Sequence, residues 1–198
     1  MPRKKEYDRE EVLQKATAVF WEKGFEGTSM KDLVAATGLN RFSMYDAFEN
    51  KEGLFKEALR FYMSQMEDQL FVDMRDNAQG LASIYAFYDR LLELIDSGGN
   101  MTGCLVLNTA VDCPCREKVI MEMVQDQYRK SQDLLEACLQ LAKNKGEISS
   151  DADPGALAQY LVGINHAMMV MQRIHTPIEE TRSFLDTALK NLRPLSAA

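Results

Sequence analysis

The sequence predicts an all-α protein of about nine helices, in which a small N-terminal three-helix unit carrying a helix-turn-helix precedes a larger helical part. Three observations lead there. Apolar residues recur at helical spacing along nearly all of the 198 residues. No stretch alternates as a half-buried strand would. Glycine, proline and capping residues interrupt the pattern about once per helix. No internal repeat of ~20–50 residues occurs, so a solenoid is excluded.

The elements follow in order. Over 8–23, Val12, Ala16, Val19 and Phe20 share a face, Asp8 and Glu11 have capping-box spacing, and Gly24 is the stop. Two short helices come next, 29–37 closed by Gly38 and 41–48 opened by Asn40. Asn50 caps a helix that runs through Leu54, Ala58, Phe61 and Tyr62 into the seventies. Leu81, Ile84, Tyr85, Tyr88, Leu91, Leu92 and Ile95 form one stripe, ended by the turn-forming Ser97-Gly98-Gly99-Asn100. A short helix over 104–111 leads to Cys113-Pro114-Cys115, and a long one spans 116–143 before Gly146. Asp153-Pro154 and Thr176-Pro177-Ile178-Glu179 each place a cap before a first-turn proline, bounding helices over 154–174 and 177–192. The predicted division is 1–60 for the helix-turn-helix unit, its motif at 29–48, and 61–198 for the rest.

A composition of 46% hydrophobic and 27% charged residues is that of a folded globule and excludes disordered and collagen-like chains. No apolar stretch reaches the ~18–20 residues a bilayer span needs, and 1–11 is highly charged without an apolar core. No membrane association is therefore expected. Four cysteines are too few for a disulfide scaffold, and a reducing, cytoplasmic setting is predicted. The net charge of -7 is uneven: 1–60 holds 11 basic and 11 acidic residues, so the excess lies wholly in 61–198. A neutral head on an acidic body fits a polyanion bound through the head alone.

The stretch 27–55, GTSMKDLVAATGLNRFSMYDAFENKEGLF, carries the chemistry. Two helices of about eight residues around Gly38-Leu39-Asn40 form a helix-turn-helix pattern, with glycine allowing the reversal and Leu39 plugging the core. Leu33, Val34, Leu39, Met44 and Phe48 make the inner side. Asn40, Arg41, Phe42, Ser43, Tyr45 and Asp46 gather near the start of the second helix, the end that enters a major groove.

In these residues the chain resembles the TetR family of transcription regulators. The likeness lies in Gly27-Thr28-Ser29, the Leu33-Val34 to Gly38-Leu39 turn, Tyr45-x-x-Phe48 and Lys51-Glu52-x-Leu54. It covers 1 to about 60; beyond, only length and helical layout are similar. The chain departs from the family pattern at Asn40, Phe42 and Ala47, which bears on the base sequence read. The resemblance implies a DNA-binding regulator, usually a repressor, released by a small molecule or by thiol modification.

Candidate DNA-binding residues are Thr28, Asn40, Arg41, Phe42, Ser43, Tyr45 and Lys51. Thr28 either caps the second helix or gives its hydroxyl to a phosphate, and the two roles are compatible. Tyr45 is either packing or a phosphate contact, and its place three before Phe48 favours the contact. Lys51 sits at a helix N-terminus, where the macrodipole disfavours a cation unless a phosphate joins it. Arg41 offers its fork to guanine, Asn40 to adenine or phosphate, and Phe42 its ring to a thymine methyl. Arg3, Lys4 and Lys5 form either a solvated tail or an arm on the duplex.

Between 156 and 174 nearly every side chain is apolar or small, the polar exceptions being Gln159, Asn165, His166, Gln172 and Arg173. Such a helix needs covering on two sides. A second copy is the natural outer cover, with 177–192 completing a four-helix interface, as the resemblance also implies. Two reading heads then match an inverted-repeat operator.

Phe61, Tyr62, Phe87, Tyr88, Met101, Tyr128 and Met168 are candidates for a small-molecule pocket, the bland alternative being plain core. Cys104, at the start of a helix within Gly103-Cys104-Leu105, is a redox-sensor candidate, similar to a Gly-Cys-Leu feature in a subset of the family. Its alternative is a buried inert thiol. Cys113-x-Cys115 could bind a soft metal or form a disulfide with Cys104, and Cys138 reads as core. No metal and no cofactor is expected. The competing class is a helical enzyme or a metal- or small-molecule-binding protein that does not bind DNA. Against it, His166 and His175 are not at ligand spacing and no Glu-x-x-His or glycine-rich phosphate loop is present.

Overall fold

A computed structural model describes residues 7–97, 103–112, 118–190 and 192, and these form helices without a strand. The order is α1 (Arg9–Gly27), α2 (Met30–Thr37), α3 (Arg41–Phe48), α4 (Lys51–Leu70), α5 (Val72–Asp76), α6 (Leu81–Asp96), α7 (Leu105–Asp112), α8 (Lys118–Asn144), α9 (Pro154–Arg173) and α10 (Ile178–Lys190). The additional helix relative to expectation is α5. The helix begun at Lys51 does not continue into the seventies, because Phe71 leaves the helical path and turns inward, its ring 4.8 Å from that of Phe87. Met74, buried on α5, follows it.

Two compact units are present. The first comprises Met1–Gln65 with Cys104–Met121, the second Met66–Gly103 with Glu122–Ala198. A boundary drawn at residue 60 differs from this division, because α7 packs on α1 within the first unit. That contact is long-range and leaves no trace in local periodicity.

In the first unit Val12, Ala16, Phe20, Leu33, Met44, Phe48, Leu54, Phe55 and Ala58 are buried together. Phe55 is the hinge of an aromatic cluster, edge-on to Phe20 at 4.9 Å and 5.0 Å from Phe25. Thr17 donates its hydroxyl to the Ala58 carbonyl across α1 and α4 at 3.3 Å. Gly24 takes φ +70° within α1, so the regular helix stops where the sequence places its end.

In the second unit α6 buries Leu81, Ile84, Phe87, Tyr88, Leu91, Leu92 and Ile95, the predicted stripe with Phe87 replacing half-buried Tyr85. The Tyr88 hydroxyl donates to the Leu161 carbonyl of α9 at 3.2 Å, and burial pushes its ionisation far above the ordinary phenol range. Asp153 caps α9 by accepting from the Gly155 and Ala156 amides, with Pro154 in the first turn. Among the described residues no helix is long and apolar enough to cross a membrane.

Candidate nucleic-acid interface

The reading head is built from α2 and α3. Ser29, not Thr28, caps α2: its hydroxyl accepts from the Asp32 amide while the Asp32 carboxylate accepts from the Ser29 amide, a reciprocal box. The Lys23 ammonium, 2.7 Å from Asp32, together with the Ser29 hydrogen bonds holds that carboxyl well below the usual range. Gly38 ends α2 at φ +73°, a left-handed position open to glycine without strain. Leu39 then turns inward and Asn40 starts α3, accepting from the Ser43 amide at 2.9 Å.

Met44 and Phe48 anchor α3 and leave its other faces to solvent. Phe42 is 82% exposed and Tyr45 39% exposed. Arg41 donates to the Tyr45 hydroxyl at 3.4 Å, and its guanidinium lies 5.6 Å from that ring's centre. Asn40, Arg41 and Asp46 are exposed and Ser43 half-buried. Six of the seven predicted residues, from Asn40 to Lys51, therefore fall on or beside α3.

Thr28 and Lys51 take places the sequence did not suggest. Thr28 is buried and donates its hydroxyl to the Gly24 carbonyl at 2.7 Å, so it closes the end of α1 rather than the start of α2. The Lys51 ammonium donates to the Phe25 and Thr28 carbonyls at 2.9 and 3.1 Å and lies 4.3 Å from the centre of the Phe25 ring. A cation at the N-terminus of α4 is thus accommodated by the negative end of α1. One of its three N–H donors remains for a further partner.

Three residues missed in the sequence shape this surface. Arg9 pairs with Glu57 and stacks 4.7 Å from the Phe48 ring centre, bracing α3 from α1. Glu49 takes φ +66° in a tight turn in which the Asn50 amide reaches the Phe48 carbonyl at 2.7 Å. Gly53 has no room for a side chain, since a Cβ there would meet the Phe48 carbonyl oxygen at 2.2 Å. The glycine in Lys51-Glu52-Gly53-Leu54 was the available signal.

Of the pocket candidates, Phe61 and Tyr62 lie in the first unit and Phe87, Tyr88, Tyr128 and Met168 in the second, while Met101 lies outside the described residues. Tyr62 is edge-on to Trp21 at 5.0 Å, and burial, then the neighbouring Cys104, raises its ionisation well above the usual range. Phe87 contacts Tyr88 at 5.1 Å, and Tyr128 is edge-on to His166 at 4.8 Å. Met168 is buried. A groove of about 420 Å³ between α6 and α10 includes Tyr88, with Tyr85, Leu92 and Leu185 beside Asp89, Arg182, Asp186 and Lys190.

Cys104 is half-buried against Tyr62. Cys138 is buried, and desolvation pushes its thiol up to about 11. Cys113, Cys115, Arg3, Lys4 and Lys5 lie outside the described residues. Among those described, no group of three or more potential ligands is placed to hold a metal ion.

Residues 12–58 match the family described as bacterial regulatory proteins, tetR family, and residues 80–188 match the tetracyclin repressor-like C-terminal domain. The chain belongs to the tetR family. It is a DNA-binding transcription regulator by that membership. The alternative of a helical enzyme or metal carrier is not favoured, since the relatives are transcription regulators. The HTH-type transcriptional repressor ComR of Escherichia coli K12 is 29% identical over 95% of this chain and 90% of its own length. The repressor DhaR of Mycobacterium sp. strain GP1 is 24% identical over 94% and 92%. Among solved structures, a cysteine mutant of the tetR-family regulator CifR, complexed with 26-base-pair operator DNA, superposes with TM-score 0.81. It is 27% identical to this tetR-family chain over 95% of this chain and 98% of that one.

Proposed function

We propose that this chain is a cytoplasmic homodimeric repressor that grips an inverted-repeat operator with two copies of α3 and releases it on binding a small molecule or on modification of Cys104. The observation that carries the DNA reading is the outer face of α3. It exposes an apolar ring, a guanidinium, a phenol and polar groups, while Met44 and Phe48 hold the helix to the core. Arg41 and Tyr45 supply donors for the duplex, Asn40 retains its amide N–H groups, and Lys51 keeps one donor. Thr28 acts by fixing the end of α1 beside the Lys51 ammonium.

The dimer reading rests on α9. Its buried side is Ala158, Leu161, Ile164, Met168 and Met169. On the opposite side Ala156, Tyr160, Gly163, Ala167, Val170 and Ile174 follow one another in alternating steps of four and three residues. All but half-buried Ala167 are exposed. Steps of four and three are the seam of two packed helices, and small residues at 163 and 167 let a partner backbone approach closely. The symmetric partner of this seam is the same seam on a second copy, with α10 beside it.

For sensing, the family's solved relatives include cysteine mutants of CifR with operator DNA, and here Cys104 borders the buried Tyr62 hydroxyl. Selective alkylation of Cys104 in the native protein, followed by loss of operator binding, is the expected result for a thiol trigger. No faster reaction than a free thiol leaves the small molecule as the trigger.

Fluorescence anisotropy with the DNA upstream of the gene tests the whole. Binding at least tenfold tighter than to random duplex is expected, with affinity for both duplexes falling in the Arg41→Ala/Tyr45→Ala double variant and dimer mass unchanged in light scattering. Equal affinity for both duplexes would sink the reading.

A further inference from the structure

We propose that Phe42 and Asp46 read base identity, through the 5-methyl group of a thymine and the exocyclic amino group of a nearby cytosine, while Arg41 and Tyr45 grip the phosphate backbone. This rests on the reading of α3 as the groove-entering helix and assigns roles within it.

The geometry divides the exposed surface of α3. At about 100° per residue, Phe42 and Asp46 each project roughly 160° from Met44, the buried anchor. They share the middle of the outer face, one turn apart. Arg41 and Tyr45 lie toward the Phe48 side, within about 60° of that buried ring's direction, and form the flank. When the middle of a helix faces the groove floor, its flank faces the sugar-phosphate wall.

Chemistry gives the same division. Phe42 is 82% exposed and has no ring partner or cation above it among the described residues. A phenyl group gains nothing from a phosphate, and the thymine methyl is the apolar feature of the major-groove floor. Asp46 is exposed on the same strip. An ionised carboxylate only accepts hydrogen bonds and is repelled by phosphates, so it is tolerated only toward the centre of the groove. There, amino groups of cytosine or adenine donate, whereas guanine N7 and O6 and thymine O4 do not. Cytosine N4 is the usual partner of a carboxylate.

Arg41 and Tyr45 are already joined, guanidinium to phenol at 3.4 Å, so their donors converge beside one another. Converging donors suit a tetrahedral oxyanion better than a single base edge. The rise between Phe42 and Asp46 is about 6 Å, or roughly two base-pair steps, which places the thymine and the cytosine close together in each half-site.

The test selects duplexes from a randomised library with the full-length chain and with Phe42→Ala, Asp46→Ala and Arg41→Ala. Both central side chains are exposed, so these variants should melt like the parent. Wild type is expected to select an inverted repeat with a thymine and a cytosine in each half. Phe42→Ala should lose only the thymine preference and Asp46→Ala only the cytosine preference. Arg41→Ala should weaken all selected sequences alike and reduce the salt slope by about 0.9 per subunit.

Replacing that thymine by deoxyuridine, which removes only the methyl, should cost wild type about fourfold per half-site, the worth of one buried methyl, and cost Phe42→Ala nothing. An equal deoxyuridine penalty in Phe42→Ala, or loss of a single base preference in Arg41→Ala alone, would overturn the assignment while leaving DNA binding intact. A wild-type chain that enriches no sequence would overturn the DNA reading itself, and this assignment with it.

Discussion

The two units solve the same problem at different ranges. In the first, α1, α2, α3 and α4 are each capped by a residue just before them: Asp8, Ser29, Asn40 and Asn50 accept from amides two or three positions on. In the second, Asp153 caps α9 in the same local way, but α6 begins at Gly80 without a side-chain cap of its own, and the Leu81 amide is satisfied by the Glu147 carboxylate 66 positions away. Each interior holds polar atoms without hydrogen-bond partners, among them the Tyr7 hydroxyl in the first unit. Within the second unit the Tyr85 hydroxyl, Asn165 Oδ1 and His166 Nε2 are buried without hydrogen-bond partners.

The local caps fit a DNA-binding unit. A DNA-binding helix must keep one geometry, and local caps help to fix it alongside the brace that Arg9 gives α3. An interior with unpaired polar atoms has free energy to gain from a guest that pairs them.

The largest expected effect breaks the second unit's outer seam. A Cβ at Gly163 meets nothing within 4 Å in the single chain, so Gly163→Glu should fold normally by circular dichroism yet appear monomeric in light scattering. Operator affinity should then fall by about 100-fold or more, because the second half-site no longer binds intramolecularly. An intact dimer would place the interface elsewhere.

Next comes the rigidity of the reading unit. Gly53→Ala drives a methyl against the Phe48 carbonyl, a backbone atom that cannot step aside. Urea denaturation should show a loss of about 1–3 kcal/mol. The reverse change at the same turn is Glu49→Gly, which relieves a side chain held at φ +66° and should gain about 1 kcal/mol. If both variants unfold at the parent's urea concentration, the turn is looser than its geometry implies.

A smaller effect sharpens the other side of the contrast. Asn165→Leu replaces a buried unpaired acceptor by an apolar group of similar shape and should stabilise by about 1 kcal/mol. A destabilised variant would mean that Asn165 is paired in solution.

The smallest effect is in pH. Burial lowers the ionisation of His166 below its ordinary 6.5. In the unfolded chain this imidazole binds a proton below about 6.5, whereas in the fold it resists one until lower pH. Stability from this group is thus complete above that value and declines as pH falls toward the folded pKa. Thermal melts should show a larger drop between pH 7.5 and 5.5 in wild type than in His166→Gln.

Much of this was legible in the sequence because it is short-range. The stop at Gly24, the turn at Gly38, the caps at Asn40 and Asp153, and the apolar stripe of α6 depend on residues within one or two turns of each other. The break at Phe71 was not legible, since Phe71 leaves the helix to meet Phe87. Nor was the membership of α7 in the first unit, which depends on contact with α1. At the site, Asn40, Arg41, Phe42, Tyr45 and Asp46 are exposed on or beside α3, while Ser43 is half-buried. The places of Thr28 and Lys51 were not legible, because their partners are the end carbonyls of α1, and for Lys51 those carbonyls are more than twenty positions distant.

The amino-acid sequence by itself determined most of the helices, the caps at Asp8, Asn40, Asn50 and Asp153, and the exposed face of α3, because backbone hydrogen bonding and apolar period act over a few residues. Tertiary structure alone decided which helices share a core, which strip of α9 stays uncovered, and which polar atoms go unpaired. These depend on what arrives from distant parts of the chain, and the free energy of burial is indifferent to sequence distance.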